Sequence, residues 1–264
     1  MRRALLAPAL VLAGCAPALR EPVHVQLLSG NPMIEDGPAH VDGLLDEGDA
    51  FWSRRPDEAA MRESEARYLE AAALDATRVE AICAAVRLLA WRIEHEPSPE
   101  IREALATRTV QTAQACGVRA PDDPRCDYWL AIALGLQARE RPSTALRGLE
   151  AMAAALRRAI EIDPAIDRGG PHRVLALLLL RAPGWPAGPG DPEEGLAHAE
   201  RARAIDPAYP PNAAAWAEAL YRNGRTDEAR AAWSEALEGA EALAAAGHPD
   251  ALEWAEEYRA YLGG

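Results

Sequence analysis

Ala159-Ile160-Glu161-Ile162-Asp163-Pro164 and Ala202-Arg203-Ala204-Ile205-Asp206-Pro207 repeat one pattern. In each, a helix-forming run closes on Asp-Pro. Alanine stands where another helix must come close, and proline stands where the helix must stop. Ala71-Ala72-Ala73-Leu74-Asp75-Ala76 is a weaker copy. Outward from these ends, from about Leu44 onward, alanine, leucine, glutamate and arginine dominate, all good helix formers. No stretch shows the period-two alternation of a strand. Breakers recur at Pro97 and Pro99, Pro121 and Pro124, Pro142, Pro164, Pro171, residues 183–192, Pro207 to Pro211, Gly224 and Pro249. They cut the chain into helices of roughly 12–20 residues joined as hairpins.

The unit from Pro210 to Leu243 is the most complete. Trp216 and Ala217 lie on its first helix, Leu220 and Tyr221 follow one turn later, and Gly224 makes the turn. Ala229, Trp233 and Ala236 then lie on the second helix. With small residues at those positions and the proline ending, the unit resembles the tetratricopeptide (TPR) repeat. From Asp163 to Asp206 the spacing exceeds the TPR average of about 34 residues; the excess matches one inserted loop, Arg181-Ala182-Pro183-Gly184-Trp185-Pro186-Ala187-Gly188-Pro189-Gly190-Asp191. The expected fold is an all-α, TPR-like α-solenoid of about five helical hairpins, near 44–75, 78–116, 124–163, 169–206 and 210–246, with a C-terminal capping helix near 249–262. A single hairpin cannot cover its apolar stripe, so stacking makes the core and leaves a concave face.

The other end of the chain sets location. Met1-Arg2-Arg3 followed by the apolar run Ala4 to Ala13 has the layout of a secretory signal, and the run is too short to span a membrane. Its end, Leu12-Ala13-Gly14-Cys15, resembles the lipobox of bacterial lipoprotein signals. The division expected is therefore a signal peptide over 1–14, a lipidated Cys15 with a Pro/Gly tether over 15–42, and a helical domain over 43–264. Several acyl chains, at about 0.8 kcal/mol per buried CH2, would anchor the protein stably. Ala16, where an aspartate would otherwise stand, resembles the outer-membrane sorting pattern, which places the domain in the periplasm.

Composition excludes several chemistries. The formal charge is −13, which argues against nucleic acid and anionic lipid faces as partners. All basic residues are arginine, so neither a P-loop nor a Schiff-base lysine is present. The six histidines and the acid pairs lack metal or catalytic spacing. No cofactor, metal site or catalytic residue is expected. Cys116 and Cys126 flank a proline-containing turn and are candidates for a disulfide, left open here; Cys83, on an apolar helical face, reads as a buried free thiol.

One region stands apart. Gly169 and Gly170 can adopt positive φ and present backbone N–H groups at a helix start, a candidate anion site with Arg173 as a bidentate clamp. Trp185, in a Pro/Gly loop, is a candidate lid or partner contact. Asn212 is a candidate ligand donor or helix cap. A plain hairpin turn with Trp185 plugging the solenoid edge is the alternative. If the region binds, Arg173→Ala and Trp185→Ala should weaken binding more than stability.

The lipobox, the hairpins, Gly169-Gly170-Pro171-His172-Arg173, the Arg181-to-Pro186 loop and the junction from Asp206-Pro207 to Asn212 together resemble the T-component lipoproteins of tripartite ATP-independent periplasmic (TRAP) transporters. The resemblance covers most of residues 15–264 and is densest over 124–237. It implies a non-enzymatic periplasmic accessory that engages a solute-binding receptor, the P-component, and handles an apolar or organic-acid ligand in its cleft. It carries over no catalytic residue. A generic TPR scaffold in envelope assembly, or a hydrolase with an assembled carboxylate pair, are the alternatives. The oligomeric state stays open, a homo-oligomer included.

Overall fold

The structure is a computed structural model that describes residues 37–263, with the side chains of Thr144 and Leu146 left aside. The signal peptide, Cys15 and most of the expected tether lie outside the described residues. Eleven α-helices follow one another among the described residues: α1 (Pro38–Trp52), α2 (Glu58–Leu74), α3 (Val79–His95), α4 (Pro99–Arg119), α5 (Pro124–Glu140), α6 (Ala145–Ile162), α7 (Ile166–Arg181), α8 (Pro192–Ile205), α9 (Pro210–Arg222), α10 (Thr226–Ala245) and α11 (Ala251–Gly263). They form five antiparallel pairs and a closing helix, the all-α, TPR-like solenoid that the proline and glycine punctuation predicts. The first helix begins at Pro38, inside the stretch read as tether.

Prolines start helices here as much as they end them. Pro38, Pro99, Pro124, Pro192 and Pro210 each occupy the first turn of a helix, where no N–H is needed and φ is preset. Asp57, Ser98, Asp123 and Asp191 accept first-turn N–H bonds at their helix starts, and Gly224 and Gly247 take positive φ between helices.

Alanine carries the packing. Ala71, Ala81, Ala131, Ala159, Ala176, Ala199, Ala217 and Ala236 are all fully buried, so helices approach closely where they cross. Leucines such as Leu156, Leu175, Leu179 and Leu220 fill the space between hairpins. Truncating one of these to alanine costs about 2–5 kcal/mol. The first helices of successive pairs, α3, α5, α7 and α9, contact one another in a row, the inner wall of the solenoid.

The two ends of the stack meet. Arg55, between α1 and α2, makes a two-pronged ion pair with Asp250, between α10 and α11, at 2.8 and 2.6 Å. Its guanidinium lies 4.1 Å over the Trp52 ring. His95 on α3, stacked on Trp91, reaches Glu253 on α11 at 3.0 Å. No helix among the described residues is long and apolar enough to cross a membrane.

Candidate functional site

The structure brings Gly169, Gly170, Arg173 and Asn212 into one buried polar knot between α5, α7, α8 and α9. The chain entering α7 makes a left-handed turn: Asp167, Arg168 and Gly169 have φ of 47°, 61° and 88°. Two of these are not glycine, and each such residue costs about 1–2 kcal/mol. Side chains hold the turn from outside. Asn212, with no solvent exposure, donates from Nδ2 to the carbonyls of Arg168, Ala202 and Asp206 at 2.9–3.0 Å. Its Oδ1 accepts from Arg173 at 2.9 Å. Arg173 also donates to the Asp167 carboxylate at 2.6 Å and to the Asp167 carbonyl at 3.2 Å. Tyr128 donates to the same carboxylate at 2.5 Å.

This geometry corrects the expected anion site. The carboxylate that Arg173 clamps is Asp167 of the same chain, so the positive charge is matched internally. Of the two glycines Gly169 alone is left-handed; Gly170 is conventional in φ and is required for close approach, because a Cβ there would meet the Tyr128 hydroxyl at 2.5 Å. Asn212 does not cap its own helix, whose N-cap is Tyr209; it secures the end of α8 and the left-handed turn. Tyr128, on α5, also belongs to the knot. Its hydroxyl is held protonated, first by burial and then by the neighbouring Asp167 charge. Arg168 closes the outer side, 4.2 Å over the Tyr209 ring and 2.6 Å from Asp206.

Beside the knot lies a groove of about 890 Å³ between α3, α5, α6 and α7. Its floor is apolar, with Ile132, Leu136, Leu149, Met152, Val174 and Leu177. Tyr128 and Arg173 stand at one end; Arg139 and Arg181 stand at the rim. Arg139 pairs with Glu94 at 2.7 Å and Arg181 with Glu218 at 2.6 Å. Glu257 on α11 has its pKa raised, chiefly by burial, with Arg181 opposing and Glu253, Glu218 and Glu94 reinforcing.

Trp185 lies apart from the knot and is 90% exposed. It plugs no solenoid edge and covers no groove: the groove wall reaches Ala182 and Pro183 and stops there. The loop beneath it is tied to itself and to α7. Gly190 N–H donates to the Pro183 carbonyl at 2.8 Å, Asp191 N–H to the Leu179 carbonyl at 2.9 Å, and Ala187 N–H to the Gly184 carbonyl at 3.0 Å. A Cβ on Gly190 would run into the Ala182 carbonyl oxygen. The fold therefore holds an indole in water on a braced loop.

His172 and His198 meet as well, Nδ1 to Nδ1 at 2.8 Å, both buried, although nothing in their spacing suggests a pair. Cys116 and Cys126 are joined as a disulfide, and Cys83 is a buried free thiol. No group of three or more His, Cys, Asp or Glu among the described residues is arranged to hold a metal ion.

Comparison with known proteins gives the fold its context. No family model and no curated protein matches the sequence. Among solved structures, TTC0263, a thermophilic TPR protein of Thermus thermophilus, superimposes with a TM-score of 0.61 at 19% identity, over 84% of this chain and 98% of that one. PilF of Pseudomonas aeruginosa follows with 0.54 at 15% identity, over 85% and 90%. The chain shares the fold of TPR proteins; at these identities the likeness extends to the fold alone.

Proposed function

We propose that this protein is a lipid-anchored, periplasmic TPR scaffold that docks a TRAP-type solute-binding receptor and receives an apolar or organic-acid ligand in its groove, without catalysing a reaction. The observation that carries this reading is the pairing of a large apolar groove with an exposed indole on a braced loop whose root, Ala182 and Pro183, forms the groove wall. Aromatic anchors of this kind dominate protein interfaces, and a tryptophan left in water by a rigid loop contributes nothing to the core. The rim arginines, each already paired with a glutamate, suit transient contact with a carboxylate at the mouth of an apolar passage. The carboxylates nearest Glu257 are likewise committed: Glu218 to Arg181, Glu94 to Arg139 and Glu253 to His95. That arrangement fits holding and handing over better than acid–base chemistry. Cys15 would raise the effective concentration for weak encounters by keeping the scaffold where its partner passes.

Photo-crosslinking from the exposed position of Ala187, with Trp185 intact, tests the docking in intact cells. The expected adduct is a periplasmic solute receptor. Adducts only with envelope-assembly proteins would move the scaffold to the generic TPR role, and the TRAP reading would be lost.

A further inference from the structure

The three cysteines of the described domain sit together, a relation that neither the fold nor the docking role requires. The disulfide Cys116–Cys126 ties α4 to α5, one hairpin to the next. Cys83 Sγ, on α3, lies 3.8 Å from Cys116 Sγ, in van der Waals contact with the bridge. Cys83 also lines a separate cavity of about 240 Å³, walled by Asp49, Tyr68, Glu80, Arg87, Arg125 and Trp129. A thiol is thus placed between a cavity bordered by charged and apolar side chains and a buried disulfide.

We propose that these sulfurs form one exchange site, in which Cys116 is a shared partner that pairs with either Cys126 or Cys83. In the exchange the Cys83 thiolate attacks Cys116 Sγ. The Cys83–Cys116 bond forms, the Cys116–Cys126 bond breaks, and its electron pair leaves on Cys126, which takes up the proton Cys83 gave up. No external oxidant or reductant is consumed. The mechanical consequence follows from topology. A 116–126 bond spans two hairpins, whereas an 83–116 bond lies within one, between α3 and α4. Exchange therefore releases the covalent tie between the second and third hairpins, next to the groove wall made by α5.

The resting state keeps this closed. Burial pushes the Cys83 thiol up to about 12, with Arg125 and Arg87 lowering it and Asp123 and Glu80 raising it. Only a small thiolate fraction exists at neutral pH, and that fraction rises about tenfold per pH unit below the pKa.

The test is a disulfide map of the intact folded protein. Samples held at pH 7, 8 and 9 are acid-quenched, alkylated at low pH in denaturant, and digested without reduction. The expected result is an 83–116 linked peptide with alkylated Cys126, present at every pH because the exchange takes up and releases one proton, and absent in Cys83→Ser. Alkylation of Cys83 alone at every pH overturns the proposal. So does a Cys83–Cys126 link in comparable amount, which marks scrambling through unfolding. Cys126→Ser gives a second arm: air oxidation should join Cys83 to Cys116, and both thiols remaining alkylatable in a folded variant would contradict it. If that variant does not fold, the wild-type map decides.

Discussion

Arg55 and Asp250 lie at opposite ends of the solenoid and are held together by two hydrogen bonds, with Arg55 only 8% exposed. Between them the chain runs through nine helices and returns, so this one contact helps decide whether the stack is open or closed. Removing the carboxylate leaves a largely buried guanidinium supported by the Trp52 ring and by its bond to the Trp52 carbonyl. Asp250→Ala should cost about 1–3 kcal/mol and enlarge the radius of gyration measured by small-angle scattering. Glu241→Gln, which breaks the exposed pair with Arg259, should change stability by no more than about 0.5 kcal/mol. Equal effects from the two would show that the end-to-end contact is an ordinary surface pair.

Acid should loosen the fourth hairpin. Burial, with help from His198 and Arg201, depresses His172 to about 4, and burial lowers His198 against the pull of Glu194. Arg157 on α6 and Arg201 on α8 also bear on His198 and disfavour its charged form. A histidine held neutral in the folded state contributes stability that is fully present above the ordinary value of 6.5 and is lost as pH falls from there toward about 4. The loss attributable to His172 is on the order of 3 kcal/mol. Thermal melts across that window should show a falling midpoint, and His172→Gln should flatten the fall. A midpoint independent of pH in the wild type would rule out the buried pair.

Arg173 and Trp185 should part company. Arg173 bridges Asp167 and Asn212 in the knot, so Arg173→Ala removes both contacts while Tyr128 still donates to the half-exposed Asp167 carboxylate, and it should cost about 1–3 kcal/mol, read as a lowered urea midpoint. For Arg173 this reverses the expectation from sequence that the variant weakens binding more than stability. Trp185→Ala removes a side chain 90% in water and should leave stability within about 0.5 kcal/mol.

Gly190→Ala tests whether the bracing of the loop matters. Its Cβ meets the Ala182 carbonyl and must shift the loop. Partner binding should fall although the indole is still present. Unchanged binding would mean that Trp185 acts alone, without its support.

Hairpin order is legible in the sequence because its signals are local: prolines at helix starts, Asp-Pro at helix ends, glycine at turns. The pairing of Cys116 with Cys126 is legible as a possibility for the same reason, since the two flank one turn. What escapes the sequence is made by distance. Nothing near Arg55 announces Asp250, and His172 meets His198 only after α7 and α8 pack. The residue types point to a left-handed turn at Gly169 and Gly170, yet it falls on Asp167, Arg168 and Gly169, because Asn212 and Arg173 force non-glycine residues into it from across the fold. Trp185 is marked by its proline and glycine neighbours, but its exposure depends on the loop's own hydrogen bonds.

Above all, a membrane-held scaffold should capture a solute receptor through Trp185. A quantitative pull-down from detergent-solubilised membranes decides this, comparing the wild-type chain, Trp185→Ala and Cys15→Ser. A periplasmic solute receptor should co-purify with the wild type, and its recovery should fall at least about tenfold with Trp185→Ala at equal fold stability, the loss expected of an aromatic anchor. Cys15→Ser should leave the membrane fraction. A receptor recovered equally with Trp185→Ala, or no receptor recovered while other membrane complexes survive the same conditions, would contradict the docking role.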